Sequence, residues 1–245
     1  MTIRLTTDHS ATAHIVRANG GGVVVPSHVG DFLATQVSGD SEKFGQLSRD
    51  YPQTAAALRQ AGWLDEEIVH RRVPEGPHLQ RVQIEALLTC NLSCSYCYST
   101  SGPRRRERLS HEEIMDVINQ ADAMAVQQVD FTGGEYLMTP RWRDQVVRAR
   151  ELGMIVTVHT NGTLLTPAAV QTLSDLSVAY VQVSADSHLD EVHDAARGHR
   201  HALRRTLMGL DRLHEAGVDC RISLMVHRGN VTTMGDSIKF FSDRY

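Results

Sequence analysis

Residues 87–99 read LLTCNLSCSYCYS and place Cys90, Cys94 and Cys97 in a CxxxCxxC spacing. An apolar run from Val82 to Leu88 leads into this segment and is typical of a β-strand. Cysteine thiolates are the usual protein ligands of iron–sulfur clusters, and a cubane cluster has four irons to ligate. Three cysteines on one loop can bind three of these irons. The spacing therefore predicts a cluster whose fourth iron is open to a small molecule.

Two other uses of clustered cysteines fit this sequence less well. A structural zinc site needs four ligands, usually as two separated pairs. The one remaining cysteine, Cys220, lies far along the chain inside an apolar run and is expected to be a buried small side chain. A redox dithiol needs only a CxxC pair. Both alternatives stay open, with the iron–sulfur site as the leading hypothesis.

Strands and helices alternate from Val82 onward, a pattern that predicts parallel βα units. Polar segments follow the strands: Gly133-Gly134-Glu135, Thr160 to Thr163 (TNGT) and Ser184 to Ser187 (SADS). A βα barrel gathers its active site at the carboxyl ends of its strands, so these segments and the cysteines are expected to meet. The five predicted strands are Val82 to Leu88, Gln128 to Thr132, Met154 to His159, Ala179 to Val183 and Cys220 to Val226.

These motifs together resemble the radical S-adenosylmethionine (radical SAM) enzymes, over roughly Val82 to Tyr245. The family signature is CxxxCx(aromatic)C after the first barrel strand, and Tyr96 is the aromatic here. The GGE at Gly133 to Glu135 matches the family segment that binds the amino group of SAM. The resemblance implies a 4Fe–4S cluster on Cys90, Cys94 and Cys97, with SAM on its open iron.

The resemblance also implies further cofactor-binding residues. Asn161 lies in the TNGT segment that lines the site in this family. Ser184 and Asp186 match the S-x-D segment whose polar groups meet the ribose and the methionine carboxylate. Arg197 matches a residue in a loop after this strand that contacts the SAM carboxylate. No catalytic acid or base is identified, and the only candidates are Tyr136 and His159.

The implied fold is an α/β partial TIM-like barrel of parallel strands, covering residues 82–245. The family core has six βα units, whereas about five are counted here, so we expect a C-terminally truncated core. An open fifth strand is an unprotected sheet edge. The polypeptide alone is therefore expected to be poorly soluble or weakly active.

Residues 1–70 are expected to form a small separate domain, joined to the barrel by a linker at residues 71–81 that contains Pro74, Gly76 and Pro77. Two β-leaning runs between His14 and Val25 flank a glycine-rich turn, which indicates a hairpin. Three helices are predicted after it. This winged-helix-like α+β plan resembles the domain that captures leader peptides in maturases of ribosomally made peptides.

The composition limits the kinds of partner that this chain is expected to bind. The formal net charge is −4, which gives no general argument for binding nucleic acid or membranes. No apolar run approaches the roughly 18 residues that span a bilayer. A thiolate cluster motif without a signal peptide indicates a reducing, cytoplasmic location.

The leading hypothesis is a radical SAM enzyme that cleaves SAM reductively and abstracts hydrogen from a peptide or protein substrate that carries a leader sequence. It would need an external one-electron reductant. The alternatives are a leader-peptide-binding module with an inactive truncated barrel, and a radical SAM enzyme acting on a small molecule.

Overall fold

This computed structural model of the protein describes residues 2–7, 12–17, 22–60, 67–72 and 78–245. Within them, the strands form two sheets, one of four strands and one of five. The four-stranded sheet belongs to the N-terminal region. The five-stranded sheet holds the cysteine segment at its edge.

The N-terminal sheet has the strand order β3-β2-β1-β4. Strand β2 pairs antiparallel with β1 and with β3, while β4 pairs parallel with β1. The elements are β1 (Thr2–Thr7), β2 (Thr12–Arg17), β3 (Gly22–Pro26), α1 (Ser27–Ser38), α2 (Ser41–Asp50), α3 (Pro52–Gln60) and β4 (Glu67–Arg72). The predicted hairpin and three helices are therefore present. Strands β1 and β4 were not predicted, and the winged-helix assignment stays a prediction.

The N-terminal helices have their own small core. Phe32 on α1 and Ala55 and Leu58 on α3 are buried together, and the ring of Phe44 on α2 meets Phe32 edge-on at 5.5 Å. Asp40 caps α2 by accepting a hydrogen bond from the Lys43 amide. Helical spacing of apolar residues thus buries side chains of α1 and α3, and α2 packs the partly buried Phe44 and Leu47 against them.

Part of the predicted linker is strand. Arg71 and Arg72 end β4, and Arg81 begins the next strand. Residues 73–77, which contain both prolines and the glycine of the prediction, lie outside the described residues.

The second sheet is parallel throughout and runs in sequence order, β5-β6-β7-β8-β9. Its elements are β5 (Arg81–Glu85), α4 (His111–Ala123), β6 (Gln128–Thr132), α5 (Trp142–Glu151), β7 (Ile155–Thr160), α6 (Pro167–Asp175), β8 (Tyr180–Ser184), α7 (Asp190–Arg197), α8 (Ala202–Glu215), β9 (Cys220–Ser223) and α9 (Met234–Arg244). The predicted α/β fold with five parallel strands is confirmed.

Helix starts in this region follow local side-chain chemistry. Ser110 and Glu113 form a reciprocal capping box at the start of α4. Thr166 caps α6 and Pro167 occupies its first turn, where the missing N–H costs nothing. Both helix starts agree with the sequence analysis.

Three predicted boundaries are wrong. Strand β5 ends at Glu85 rather than Leu88, and β9 ends at Ser223 rather than Val226. Beyond these ends the backbone bonds to other segments: the Leu88 amide donates to the Glu107 carbonyl, and the Met225 amide donates to the Asp186 carboxylate. Arg197, which was assigned to a loop, instead lies in the last turn of helix α7, and Gly198 at φ 63° ends that helix.

The two faces of the parallel sheet differ in chemistry. One face buries apolar side chains against the helices, including Val129 and Phe131 on β6 and Val156 and Val158 on β7. Full burial of such a side chain contributes about 1.5–3 kcal/mol. Because successive strand residues point to opposite faces, the other face carries polar side chains. These include Gln83, Asp130, Thr157, His159, Gln182 and Ser223.

Among the described residues, we find no helix with the length and apolar character needed to cross a membrane.

Candidate active site

The cysteine segment leaves β5 and folds back on itself before docking onto helix α7. The Cys90 amide donates to the Gly102 carbonyl at 3.2 Å, which closes the base of the loop. The Ser93 and Ser95 amides donate to the carbonyls of Arg197 and Ala196 at 3.1 and 3.0 Å. These carbonyls belong to the last turn of α7 and have no partner inside the helix. The helix end therefore fixes the loop that carries the thiols.

The three thiols of this loop are free, and each sulfur accepts an N–H hydrogen bond. The Leu92 amide donates to Cys90 Sγ at 3.4 Å, Arg197 Nη1 to Cys94 Sγ at 3.8 Å, and the Ser101 amide to Cys97 Sγ at 3.3 Å. N–H donors stabilise an anionic sulfur, which is the form that ligates metal. The donor set therefore fits an iron–sulfur cluster.

The pKa values of the thiols differ with their surroundings. Burial raises the pKa of Cys90 to about 11. Burial also raises the pKa of Cys94, against the guanidinium of Arg197, which favours the thiolate. Burial raises the pKa of Cys97 too, but hydrogen bonds from Ser99 and Ser101 outweigh it and leave that pKa below the usual value.

In the part of the chain that the structure describes, no group of three His, Cys, Asp or Glu side chains converges to hold a single metal ion. A cubane cluster makes a different demand, since each thiolate binds an iron of its own.

The two glycines after β6 let the strand end approach the cysteine segment. The Gly134 amide donates to the Leu87 carbonyl at 2.6 Å, and the Glu135 amide donates to the Thr89 carbonyl at 3.1 Å. A Cβ atom at Gly134 would lie 2.3 Å from the Thr89 oxygen, and one at Gly133, whose φ is 152°, would lie 2.7 Å from the Leu87 oxygen. Because glycine has no Cβ, such a segment can approach a ligand closely. The structure adds an approach to the backbone of the cysteine segment.

Glu135 is fully buried and joins the ends of β6 and β7. One carboxylate oxygen accepts from Thr160 Oγ1 at 2.8 Å and from the Leu137 amide at 3.1 Å, and the other accepts from the Asn161 amide at 2.8 Å. Burial raises the pKa of Glu135, and these hydrogen bonds oppose the rise. Its carboxylate lies behind the cavity wall, and its part in binding SAM stays a prediction.

Asn161 connects the TNGT segment to the first cysteine. Its Nδ2 donates to Asn91 Oδ1 at 2.8 Å and to Cys90 Sγ at 3.7 Å. Asn91 in turn donates to Thr163 Oγ1 at 2.8 Å. Asn91 was not among the predicted site residues, although its position directly after Cys90 in the motif is a usable signal.

Asp186 and Arg197 form a buried ion pair beside Cys94, with Nη2 and Oδ1 at 2.8 Å. Asp186 also accepts from the Met225 amide at 3.1 Å and from the Tyr96 hydroxyl. The guanidinium carbon of Arg197 lies 5.5 Å from the centre of the Tyr96 ring. Burial raises the pKa of Tyr96. The carboxylate therefore organises three separate segments around the second cysteine.

A cavity of about 270 Å³ lies at these strand ends. It brings together nine of the predicted site residues, which are Cys90, Cys94, Cys97, Tyr96, Gly133, Gly134, Asn161, Ser184 and Arg197. Glu135 and Asp186, the other two, lie behind its wall.

The floor of the cavity adds polar residues that were not predicted as cofactor-binding: Gln83, Gln182 and Ser223. His159 also lines it, and its Nε2 atom is buried without a hydrogen-bond partner. Tyr136, the other candidate acid or base, is instead fully buried. It stacks on Phe131 at 4.9 Å and donates to Gln145 Oε1 at 3.0 Å, so it is a core residue.

The model of the Radical SAM superfamily matches residues 84–241, which include all of these cavity residues except Gln83. The chain belongs to this superfamily. The cofactors of radical SAM proteins are a 4Fe–4S cluster and S-adenosylmethionine. The cavity of this radical SAM domain is lined both by free thiols, as a cluster requires, and by polar side chains, as SAM requires.

Similar curated radical SAM proteins include maturation enzymes. The sporulation killing factor maturation protein SkfB of Bacillus subtilis is 31% identical over 61% of this chain and 36% of its own length. The mycofactocin maturase MftC of Mycobacterium ulcerans is 33% identical over 66% of this chain and 43% of its own length. The chain thus spans less than half the length of these curated relatives.

Among solved structures, SuiB of Streptococcus suis bound to its precursor peptide SuiA covers 98% of this chain and 58% of SuiB, with a TM-score of 0.62 and 14% identity. At this identity the likeness concerns the fold alone. Because it extends over nearly the whole chain, the shared fold includes the N-terminal region as well as the radical SAM domain.

Proposed function

We propose that this chain carries the core of a radical SAM enzyme that modifies a peptide or protein substrate. The observation that carries the proposal is the arrangement of three free thiols, each accepting an N–H hydrogen bond, around one cavity at the ends of parallel strands. Cys90, Cys94 and Cys97 would hold the 4Fe–4S cluster. When bound, the cluster and SAM supply the 5′-deoxyadenosyl radical that abstracts hydrogen from the substrate.

The other cavity residues would hold SAM. The backbone at Gly133 and Gly134 is exposed to the cavity, where it can meet the methionyl amino group. Asn161, Ser184 and Arg197 offer polar groups on the same wall. Glu135 and Asp186 would act from behind that wall by holding the strand ends and Arg197 in place. Tyr96 closes the wall near Asp186.

A peptide substrate with a leader is supported by the maturation enzymes among the relatives and by the fold shared with SuiB. Among the described residues, the N-terminal sheet ends in two strands, β3 and β4, that each pair on one side only. An extended peptide binds readily to such an edge by adding a strand. We therefore assign leader capture to the N-terminal domain and the chemistry to the parallel sheet.

An external one-electron reductant is a further part of the proposal, because the cluster must gain an electron before SAM is cleaved. We also propose a reducing, cytoplasmic location, because clustered thiols stay unpaired there.

The first experiment is anaerobic reconstitution of the full chain with iron and sulfide, followed by metal analysis and by an assay for 5′-deoxyadenosine with dithionite and SAM. We expect about four irons per chain and formation of deoxyadenosine. Cys94→Ala should lose both. Cys220→Ala is the matched control, since Cys220 lies on β9 outside the cavity, and it should retain both.

Other outcomes separate the alternatives. Four irons without deoxyadenosine would favour a leader-binding module whose barrel is inactive. Deoxyadenosine that forms only with added small metabolites would favour a small-molecule enzyme. Bound zinc without iron, after reconstitution, would overturn the proposal.

A further inference from the structure

Arg197 is placed unusually for a residue expected to bind SAM. Its three guanidinium nitrogens have distinct surroundings: Nη2 is bound by Asp186 at 2.8 Å, Nη1 points to Cys94 Sγ at 3.8 Å, and Nε is buried without a hydrogen-bond partner. The side chain of Arg197 is 9% exposed, and that of Asp186 is fully buried. The cation thus lies against one particular sulfur while it also lines the cavity.

The surroundings hold this position firmly. Asp186 is itself fixed by the Met225 amide and the Tyr96 hydroxyl, so the carboxylate cannot follow a moving guanidinium. The backbone carbonyl of Arg197 accepts from Ser93 in the cysteine segment. Arg197 therefore touches that segment through both its main chain and its side chain.

A fixed cation beside a ligating sulfur has an electrostatic consequence. Arginine keeps its charge at any accessible pH. Reduction adds one negative charge to a cluster and its thiolates, and nearby charge and hydrogen bonds to the sulfurs set the potential at which this occurs. Burial weakens the screening of such an interaction by water. The carboxylate of Asp186 counteracts the effect in part, but the guanidinium of Arg197 contacts Cys94 Sγ at 3.8 Å and has the larger influence on this thiol.

We propose that Arg197, held by Asp186, is a positioning residue that raises the reduction potential of the cluster bound at Cys94. This inference rests on the proposed function. The step concerned is a one-electron transfer from an external reductant to the oxidised cluster, in which no bond forms or breaks and the site becomes more negative by one charge. Easier reduction would let a weak cellular reductant start the reaction.

The test is an EPR-monitored redox titration of the reconstituted full chain, without SAM, using dithionite and mediators. The principal variant is the double change Arg197→Gln with Asp186→Asn, because it leaves no buried charge unpaired. At a fixed potential, we expect its ratio of reduced to oxidised cluster to fall about tenfold, which corresponds to 59 mV for a one-electron couple. Arg197→Lys keeps the positive charge. Its ratio of reduced to oxidised cluster should therefore stay within about threefold of the wild-type ratio.

Arg143→Gln is the matched control. Arg143 lies on α5, where it stacks on Trp142 and donates to Thr172, away from the cysteines. The Arg143→Gln variant should leave the midpoint potential of the cluster unchanged. A variant that binds less iron is still informative, because a midpoint potential does not depend on how many chains carry a cluster.

Two results would overturn the inference while leaving the proposed function intact. One is a double variant whose midpoint equals that of the wild type. The other is an Arg197→Lys variant that shifts as far as the double variant, since charge would then not be the cause. Failure of the wild type to bind a cluster would remove the proposed function and this inference together.

Discussion

The two ends of the parallel sheet each carry an aspartate paired with an arginine, in different surroundings. At the carboxyl end, Asp186 and Arg197 are both buried and lie beside a cysteine. Toward the amino end, Asp130 in the middle of β6 is 1% exposed, but the side chain of its partner Arg81, at the start of β5, is 60% exposed, with Nε and Oδ2 at 3.2 Å. The same pair of charges is therefore sealed at one end and open to solvent at the other.

The difference shows how burial changes the role of an ion pair. An exposed partner is screened by water and contributes little. A fully buried pair contributes mainly by compensating charges that would otherwise be costly, so breaking it is severe. Asp130 also accepts from Gln128 Nε2 and Thr157 Oγ1, which would still stabilise it without Arg81. Only the carboxyl-end pair is expected to be indispensable.

The largest expected effect tests this contrast directly. Arg197→Gln leaves the Asp186 carboxylate buried without its counter-charge, and we expect it to lower the free energy of unfolding by about 3–5 kcal/mol. Urea unfolding measures this change. Adding Asp186→Asn should recover part of the loss, because the uncompensated charge is then removed. A single Arg197→Gln variant as stable as the wild type would break the comparison.

A second effect comes from His193, whose buried ring accepts a hydrogen bond from the Asp186 amide at Nδ1. Burial, with the nearby guanidinium of Arg197, lowers the pKa of His193 from 6.5 to about 4. In the unfolded chain the ring gains a proton below pH 6.5, while the folded ring stays neutral until about pH 4. The contribution of the neutral His193 ring to the free energy of unfolding is therefore fully present above pH 6.5. It is lost as the pH falls toward 4, by roughly 3 kcal/mol in total.

Unfolding measured between pH 7 and pH 5 tests this dependence. His193→Gln should flatten the slope of stability against pH. The exposed His214 on α8 supplies the control, and His214→Gln should leave the slope as it is. Equal slopes in all three proteins would mean that water reaches His193 at the carboxyl end of the sheet more readily than we infer.

A third and smaller effect concerns the close approach at the same end. Gly134→Ala would force a Cβ into the Thr89 carbonyl, and overpacking of this kind costs about 1–3 kcal/mol. Because the Thr89 backbone leads to Cys90, iron binding after reconstitution should also fall. Gly235→Ala, near the start of α9, is the control, since a Cβ there meets nothing within 4 Å and should not lower stability or iron binding.

The smallest effect is expected at the amino end. Arg81→Gln should cost less than about 1 kcal/mol, and added salt should reduce that cost further. Urea unfolding at low and high salt measures both. A loss comparable to that of Arg197→Gln would remove the distinction between the two ends.

Local sequence signals predicted much of the radical SAM domain. Alternating apolar strands and the capping box at Ser110 gave the five parallel strands and a helix start, because periodicity and capping depend on neighbouring residues. The helix at residues 190–197 was missed, since its buried face includes His193 and Arg197, which a sequence reading counts as polar. The strands β1 and β4 were also missed. The pairing of β4 with β1 joins Glu67 to Thr2, far apart in the chain, whereas β1 also pairs with the nearby β2, which a local pattern could have indicated.

What the sequence alone determined is the chemistry. The cysteine spacing, Tyr96 and the GGE segment named the cofactors and the residue types that surround them, because a cluster motif is a short and contiguous pattern. What only the tertiary structure decided is which of these groups face the cavity and which support it. Glu135 and Asp186 lie behind the wall, and Arg197 lies against Cys94. Those positions depend on contacts between strand ends far apart in the chain, which no local pattern encodes.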